Sequence, residues 1–209
     1  MRVLIIDDHA IVRRGIISLL QEFFGQVEIG EAADAKAGLT AVLQDPWDLA
    51  LLDISMPGRN GLELIQEIKR EKPELPILVM STHAEKDYAL RALKSGAAGY
   101  VSKQSAPDVL VTAVKRVLGG GRYVSPAFAE HLAGAVAGNA NPTSHETLSN
   151  RELLVLKLIA SGKSIKEISA ELALSVKTVA TYRSRIAEKM HLSSNVDLTR
   201  YAMQHGLVE

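Results

Sequence analysis

The chain has 209 residues, enough for one large domain or two small ones, and its 47% hydrophobic, 23% charged and 4% aromatic residues are those of an ordinary folded protein. The absence of cysteine excludes disulfides, thiolate metal sites and thiol nucleophiles. A formal net charge of zero hides an asymmetry: residues 1–118 carry 14 Lys and Arg against 16 Asp and Glu, whereas residues 148–209 carry 9 against 6, so the C-terminal part is the expected polyanion binder.

The opening "MRVLIIDDHA" has an apolar run of four residues before two aspartates, too short for a signal segment or a membrane span, which predicts a cytoplasmic protein. Short runs rich in Val, Ile and Leu recur at "VLII" (3–6), "VEIG" (27–30), "LALL" (49–52), "ILVM" (77–80) and "GYV" (99–101), each followed by a helical pattern. That alternation predicts an α/β domain over residues 1–118, a doubly wound five-stranded parallel sheet covered on both faces. The covering helices are amphipathic, with Val12, Ile16, Leu19 and Leu20 on one stripe, Leu62, Ile65 and Ile68 on another, and Leu90 with Leu93 on a third.

After "VLGGG" the pattern changes to a linker over 119–147, with a short helix at 126–136 and then "AGNANPTSHET", which has no hydrophobic period. From 148 to 209 no strand signal remains. Helices are expected near 149–161, 164–172, 175–190 and 194–205, separated by very short turns, so this part reads as a small all-α domain of four helices.

Ligands of a doubly wound sheet bind beyond the carboxyl ends of its strands. Asp7, Asp8, Asp53, Ser81 and Lys103 all fall at such ends. Three carboxylates converging there repel one another and need a cation, and hard oxygen donors with water access favour Mg²⁺. Lys103 and Ser81 add a positive charge and a hydroxyl donor, so an anion can sit beside the metal. An aspartate screened in this way can attack phosphorus, and Asp53, at the end of the apolar "WDLALLD", is the best placed nucleophile. The bland alternative, solvated strand ends and helix caps, suits any one of these residues alone. It suits the five together poorly, since "MPGRNG" also supplies Pro57 and Gly61 for a tight loop opening a helix.

In the C-terminal part, "SIKEISAELALSVKTVATYRSRIAEKM" reads as two helices joined by the turn "ALS", a helix-turn-helix, with Ile165, Ile168 and Leu172 on one face of the first. Stepping about 100° per residue puts Val179, Ile186 and Met190 on the inner face of the second helix, with Tyr182 and Arg183 at its edges. Lys177, Ala180, Thr181, Ser184 and Arg185 face outward, short or basic groups that let a helix enter a major groove. Thr178, Arg183 and Lys189 flank them at positions suited to phosphate. A solvated amphipathic helix is the alternative, and the short turn before a basic helix tips the balance.

The motifs "LIIDDH", "LLDISMPGRNGLEL", "VMSTH" and "GAAGYVSK" resemble those of bacterial response-regulator receiver domains, which have a flavodoxin-like fold. "LSNRELLVLKLIASGKSIKEISAELALSVKTVATYRSRIAEKM" is similar to the LuxR-type domain of the NarL/FixJ regulators. The resemblance implies that Asp53 accepts a phosphoryl group, that Asp7 and Asp8 hold Mg²⁺ with the Ser55 carbonyl, and that Lys103 pairs with the phosphoryl oxygens. It implies that Ser81, with Thr82 as the neighbouring alternative, is the switch hydroxyl. Tyr100 matches the aromatic that reorients with it, although a tyrosine simply packed in the strand fits the residues equally well. Base contacts would map mainly to Ala180, Thr181 and Ser184, with Lys177 nearby; Tyr182 stands where many members have histidine.

Together these readings predict a two-component response regulator. A sensor histidine kinase phosphorylates Asp53, and the activated protein binds promoter DNA as a homodimer. It is expected to be no enzyme beyond its own Mg²⁺-dependent phosphorylation and dephosphorylation. One rival is a protein-interaction regulator whose helical domain only dimerises. Another is an aspartyl phosphotransferase, disfavoured because Ser55 stands two residues after Asp53, where such an enzyme has a general-acid aspartate.

Overall fold

The computed structural model describes residues 1–56, 61–82, 85–136 and 144–208, so Pro57, expected in the tight loop after Asp53, lies outside the described residues. The chain divides into two compact units, Met1–Gly134 and Ala135–Glu209.

In the first unit each apolar run is a strand: β1 (Arg2–Ile6), β2 (Glu28–Ala32), β3 (Leu49–Asp53), β4 (Ile77–Ser81) and β5 (Gly99–Ser102). They pair in parallel in the order β2-β1-β3-β4-β5. The helices between and after them are α1 (Ala10–Phe24), α2 (Ala35–Gln44), α3 (Gly61–Glu71), α4 (Glu85–Lys94) and α5 (Pro107–Leu118). Because β1 lies between β2 and β3, the winding reverses there, and the reversal opens a crevice at the carboxyl ends of β1 and β3. Asp7 and Asp53 stand at those two ends.

Burial fixes where the strands stop. Every residue of β3 and β4 is buried, and on one face Val3, Ile5, Leu49 and Leu51 pack with Ile16 and Leu20 of α1 and Val114 and Val117 of α5. At ~1.5–3 kcal/mol per large apolar side chain, a one-residue slip of any central strand is prohibitive. Leu62, Ile65 and Ile68 of α3 are buried as their stripe predicts. The α4 stripe is different: α4 buries Tyr88, Ala89 and Ala92, while Leu90 is 36% exposed. Small residues let this helix pack against β5, so Leu90 turns outward while Leu93 stays partly buried. Gly61 opens α3 because a side chain there would meet the Ile54 backbone, its Cβ only 2.4 Å from Ile54 Cα.

Helix α6 (Pro126–Val136) follows α5. The second unit then has a 3-10 turn (Ser144–Thr147) and helices α7 (Asn150–Ala160), α8 (Ile165–Glu171), α9 (Val176–Met190) and α10 (Asn195–Gln204). Each of α7 to α10 is opened by a serine, Ser149, Ser164, Ser175 and Ser194, whose hydroxyl accepts the backbone N–H three residues on. Such a cap stabilises a helix by ~1 kcal/mol, and in α7 and α8 Glu152 and Glu167 complete a capping box. Leu153, Leu156, Ile168, Val179, Ile186 and Leu198 form the interior. Among the described residues, no helix is long and apolar enough to cross a membrane.

Candidate functional site

Asp7, 0% exposed, follows β1, and Asp53, 1% exposed, ends β3. Two such carboxylates side by side would be untenable without a counter-charge. Lys103, just past β5, supplies it: its Nζ stands 2.6 Å from Asp53 Oδ2 and 2.6 Å from Asp7 Oδ2. Burial alone would lower the Lys103 ammonium, but its bonds to Asp53 and Asp7 outweigh that and hold it above the ordinary lysine range. Backbone groups orient the carboxylates. Ser55 N–H donates to Asp53 Oδ1 at 2.7 Å, and His9 N–H to Asp7 Oδ1 at 2.8 Å.

Ser81 closes the site from β4. It is fully buried, whereas Thr82 is exposed, and its Oγ lies 3.1 Å from Ser55 Oγ. The Ser55 hydroxyl was given no part by the sequence, where only its carbonyl was singled out. No local pattern signals this contact, because it joins residues brought together only by the pairing of β3 with β4. Tyr100 on β5 is 0% exposed. Burial holds its hydroxyl well above the usual phenol range, against a smaller opposing hydrogen bond to Ser81. The sheet thus brings Asp7, Asp53, Ser55, Ser81, Tyr100 and Lys103 together from β1, β3, β4 and β5.

The donor set fits a hard divalent cation. Ligand atoms of Asp7, Asp8, His9 and Asp53 all lie within 4.8 Å of one another. Asp8 Oδ1 is buried and accepts no hydrogen bond among the described residues, although the His9 ring nitrogen stands 2.9 Å away. A buried carboxylate oxygen without a donor is an incomplete arrangement, which a cation would complete.

In the second unit, α8 and α9 meet through a turn in which Ala173 is left-handed, with φ 51°. Ser169 holds this turn, its hydroxyl donating to Leu174 O at 2.6 Å and its carbonyl accepting Leu174 N–H at 2.9 Å. The inner face of α9 is as predicted, Val179, Ile186 and Met190 being buried. Lys177, Thr181, Ser184 and Arg185 are exposed, and Thr178, Ala180 and Tyr182 are partly so. The Thr181 and Ser184 hydroxyls donate to the carbonyls of Lys177 and Ala180 on their own helix, at 2.9 and 3.1 Å.

Two flanking cations expected at phosphate are otherwise engaged. Lys189 Nζ donates to Glu152 Oε2 at 2.6 Å, neutralising a carboxylate that is 3% exposed at the start of α7. Arg183 donates to Asn195 Oδ1 at 2.8 Å and Ser193 O at 3.1 Å, tying α9 to the start of α10. Charge pattern alone could not distinguish these internal ties from a DNA-facing role.

A parallel sheet with this cluster, joined to a helix-turn-helix, defines the response-regulator class, and comparison with known proteins bears this out. Residues 3–115 match the response regulator receiver domain, and residues 146–202 match the bacterial regulatory proteins of the luxR family. The chain is 35% identical to the response regulator UvrY of Escherichia coli over 208 residues, 99% of this chain and 95% of that protein. It is 36% identical to the response regulator GacA of Pseudomonas viridiflava over 210 residues, 100% of this chain and 98% of that protein. Among solved structures, RcsB from Salmonella enterica serovar Typhimurium, bound to promoter rprA in the presence of the phosphomimetic BeF3-, is similar with a TM-score of 0.70. It is 29% identical, covering 96% of this chain and 97% of that one. The chain belongs to the NarL/FixJ family of response regulators, with a receiver domain and a LuxR-type helix-turn-helix domain.

Proposed function

We propose that Asp53 is the phosphoacceptor of a cytoplasmic transcription regulator, in a receiver of residues 1–118 joined by a linker of residues 119–147 to a DNA-binding domain of residues 148–209. The observation that carries the reading is the bridge from Lys103 Nζ to both Asp53 and Asp7, 2.6 Å to each, at the mouth of the sheet. One carboxylate oxygen of Asp53 attacks the phosphorus of a kinase phosphohistidine. The P–N bond breaks, its electron pair stays on the imidazole nitrogen, which takes up a proton, and an acyl phosphate remains on Asp53. Lys103 has to turn from the carboxylates to a phosphoryl oxygen, and the Ser81 hydroxyl donates to another. Asp7, Asp8, Asp53 and the Ser55 carbonyl would hold Mg²⁺, which neutralises developing charge.

The same residues speed only the protein's own phosphorylation and dephosphorylation. Phosphorylation favours a homodimer in which two copies of α9 enter successive major grooves of promoter DNA. Contacts would come from Lys177, Thr178, Ala180, Thr181, Tyr182, Ser184 and Arg185; RcsB, to which the chain is similar, is seen bound to promoter DNA. Incubation with Mg²⁺ and acetyl phosphate is expected to add one phosphoryl group to the wild type and none to Asp53→Asn, and to strengthen promoter binding only in the wild type. Equal labelling of the Asn variant sinks the assignment. A Lys177/Thr181/Arg185 triple alanine variant that binds promoter DNA unchanged would sink the role of α9.

A further inference from the structure

His9 separates Asp7 and Asp8 from the first residue of α1. Its backbone is held on both sides, the N–H donating to Asp7 Oδ1 at 2.8 Å and the carbonyl accepting Arg13 N–H at 3.1 Å. Arg13 Nη1 in turn donates to Asp7 O at 2.8 Å, so the segment from Asp7 to His9 is fixed as a unit. Side chains that precede a helix commonly cap it, but the His9 ring makes no such bond. It turns instead toward the carboxylates, with Nδ1 2.9 Å from Asp8 Oδ1 and 3.4 Å from Asp7 Oδ1.

These spacings are those of neighbouring ligands on one ion. Two donor atoms side by side on a small divalent cation, each ~2.1 Å from it, stand ~3.0 Å apart in an octahedral site and ~3.4 Å apart in a tetrahedral one. A plain hydrogen bond explains the contact less well, because Asp8 Oδ1 is buried and accepts none among the described residues. The His9 side chain is 62% exposed, so it sits at the rim of the cluster and gives up little solvation on meeting an ion. Oxygen donors suit Mg²⁺, which dehydrates reluctantly, whereas a neutral imidazole suits Zn²⁺ and Ni²⁺.

We propose that His9 is a further ligand of this cation site, entering through Nδ1, and that it raises the site's affinity for divalent ions that favour imidazole, such as Zn²⁺, while leaving that for Mg²⁺ unchanged. The three carboxylates set the charge of the site, and His9 sets which cations gain from it. The inference rests on the reading of Asp7, Asp8 and Asp53 as the cation site.

The test follows the backbone amides of Asp8 and Ser55 by NMR of the full chain at one fixed pH, titrated separately with Mg²⁺ and with Zn²⁺, an ion of about the same size. Both ions are diamagnetic, so shifts of these two amides report this site and not histidines elsewhere. His9→Gln, and separately His9→Ala, should weaken Zn²⁺ binding about tenfold or more and leave the Mg²⁺ curve unchanged. Equal weakening for both ions would mean that the ring only steadies the carboxylates, and it overturns the proposal. Zn²⁺ curves that neither variant changes overturn it as well, and in both cases the cation site itself stands. If neither ion moves these amides in the wild type, the cation reading of the cluster fails, and the role of His9 fails with it.

Discussion

Lys103 and Asp53 meet through a single 2.6 Å contact across 50 residues of sequence, and the same ammonium reaches Asp7 at 2.6 Å. One cation thus serves two carboxylates, each at most 1% exposed. Replacing it by Lys103→Met leaves both unpaired, and the expected cost is about 3 kcal/mol in urea unfolding without divalent cations. Added Mg²⁺ should recover much of that loss, and should stabilise the variant more than the wild type.

Alkaline titration gives an independent reading of the same contact. The folded Lys103 has a raised pKa, so its contribution is complete below the ordinary lysine value and is lost as pH rises through the raised one. Wild type should lose stability in that alkaline window and Lys103→Met should lose less, as followed by thermal melts.

The strand ends, and with them Asp7, Asp53, Ser81 and Lys103, were legible because each closes an apolar run, and a charge there has to lie at the mouth of the sheet. What stayed illegible depends on packing between distant segments. Leu90 looked like a core residue until the alanines of α4 took the inner face, and the Ser55 hydroxyl gained a partner only when β3 paired with β4. Lys189 has the composition of a phosphate contact, yet Glu152, 37 residues earlier, claims it. Periodicity finds faces, but it cannot say which of two cations on a face has an internal partner.

The Glu152–Lys189 pair makes the second unit acid-sensitive. Burial would raise the Glu152 carboxyl, but bonds from Lys189 and Ser149 overcome this and hold it below its ordinary range. Its contribution is therefore present above the unfolded carboxylate value and is lost as pH falls through the depressed one. Glu152→Gln should flatten the decline in melting temperature over that acidic window. A decline as steep as in the wild type would show that other groups cause it.

The same pair separates two kinds of basic residue on α9. Lys177→Ala and Arg185→Ala should each lower the slope of log binding constant against log salt by about 1, as loss of a phosphate contact does. Lys189→Ala should leave the slope unchanged and instead destabilise the domain by about 2 kcal/mol, because a buried carboxylate loses its charged donor.

Ala173 carries a left-handed backbone between α8 and α9, with φ 51°. Glycine adopts that conformation without the Cβ penalty, so Ala173→Gly is expected to raise stability by ~0.5–1 kcal/mol in urea unfolding, less than the full penalty because glycine loses more chain entropy. Ser169→Ala should act in the opposite sense, by about 1 kcal/mol, since it removes the hydroxyl that secures Leu174 O.

The hydroxyls of Thr181 and Ser184 donate to their own helix and can only accept from outside, which leaves Lys177 and Arg185 as the long donors of α9 facing outward, with no long amide beside them. Such a surface has a small alphabet: it registers where a backbone runs far better than which letter is written there. Targets aligned by sequence should look degenerate, sharing few fixed bases, and the information separating them from the rest of a genome should lie mostly in the spacing of two half-sites.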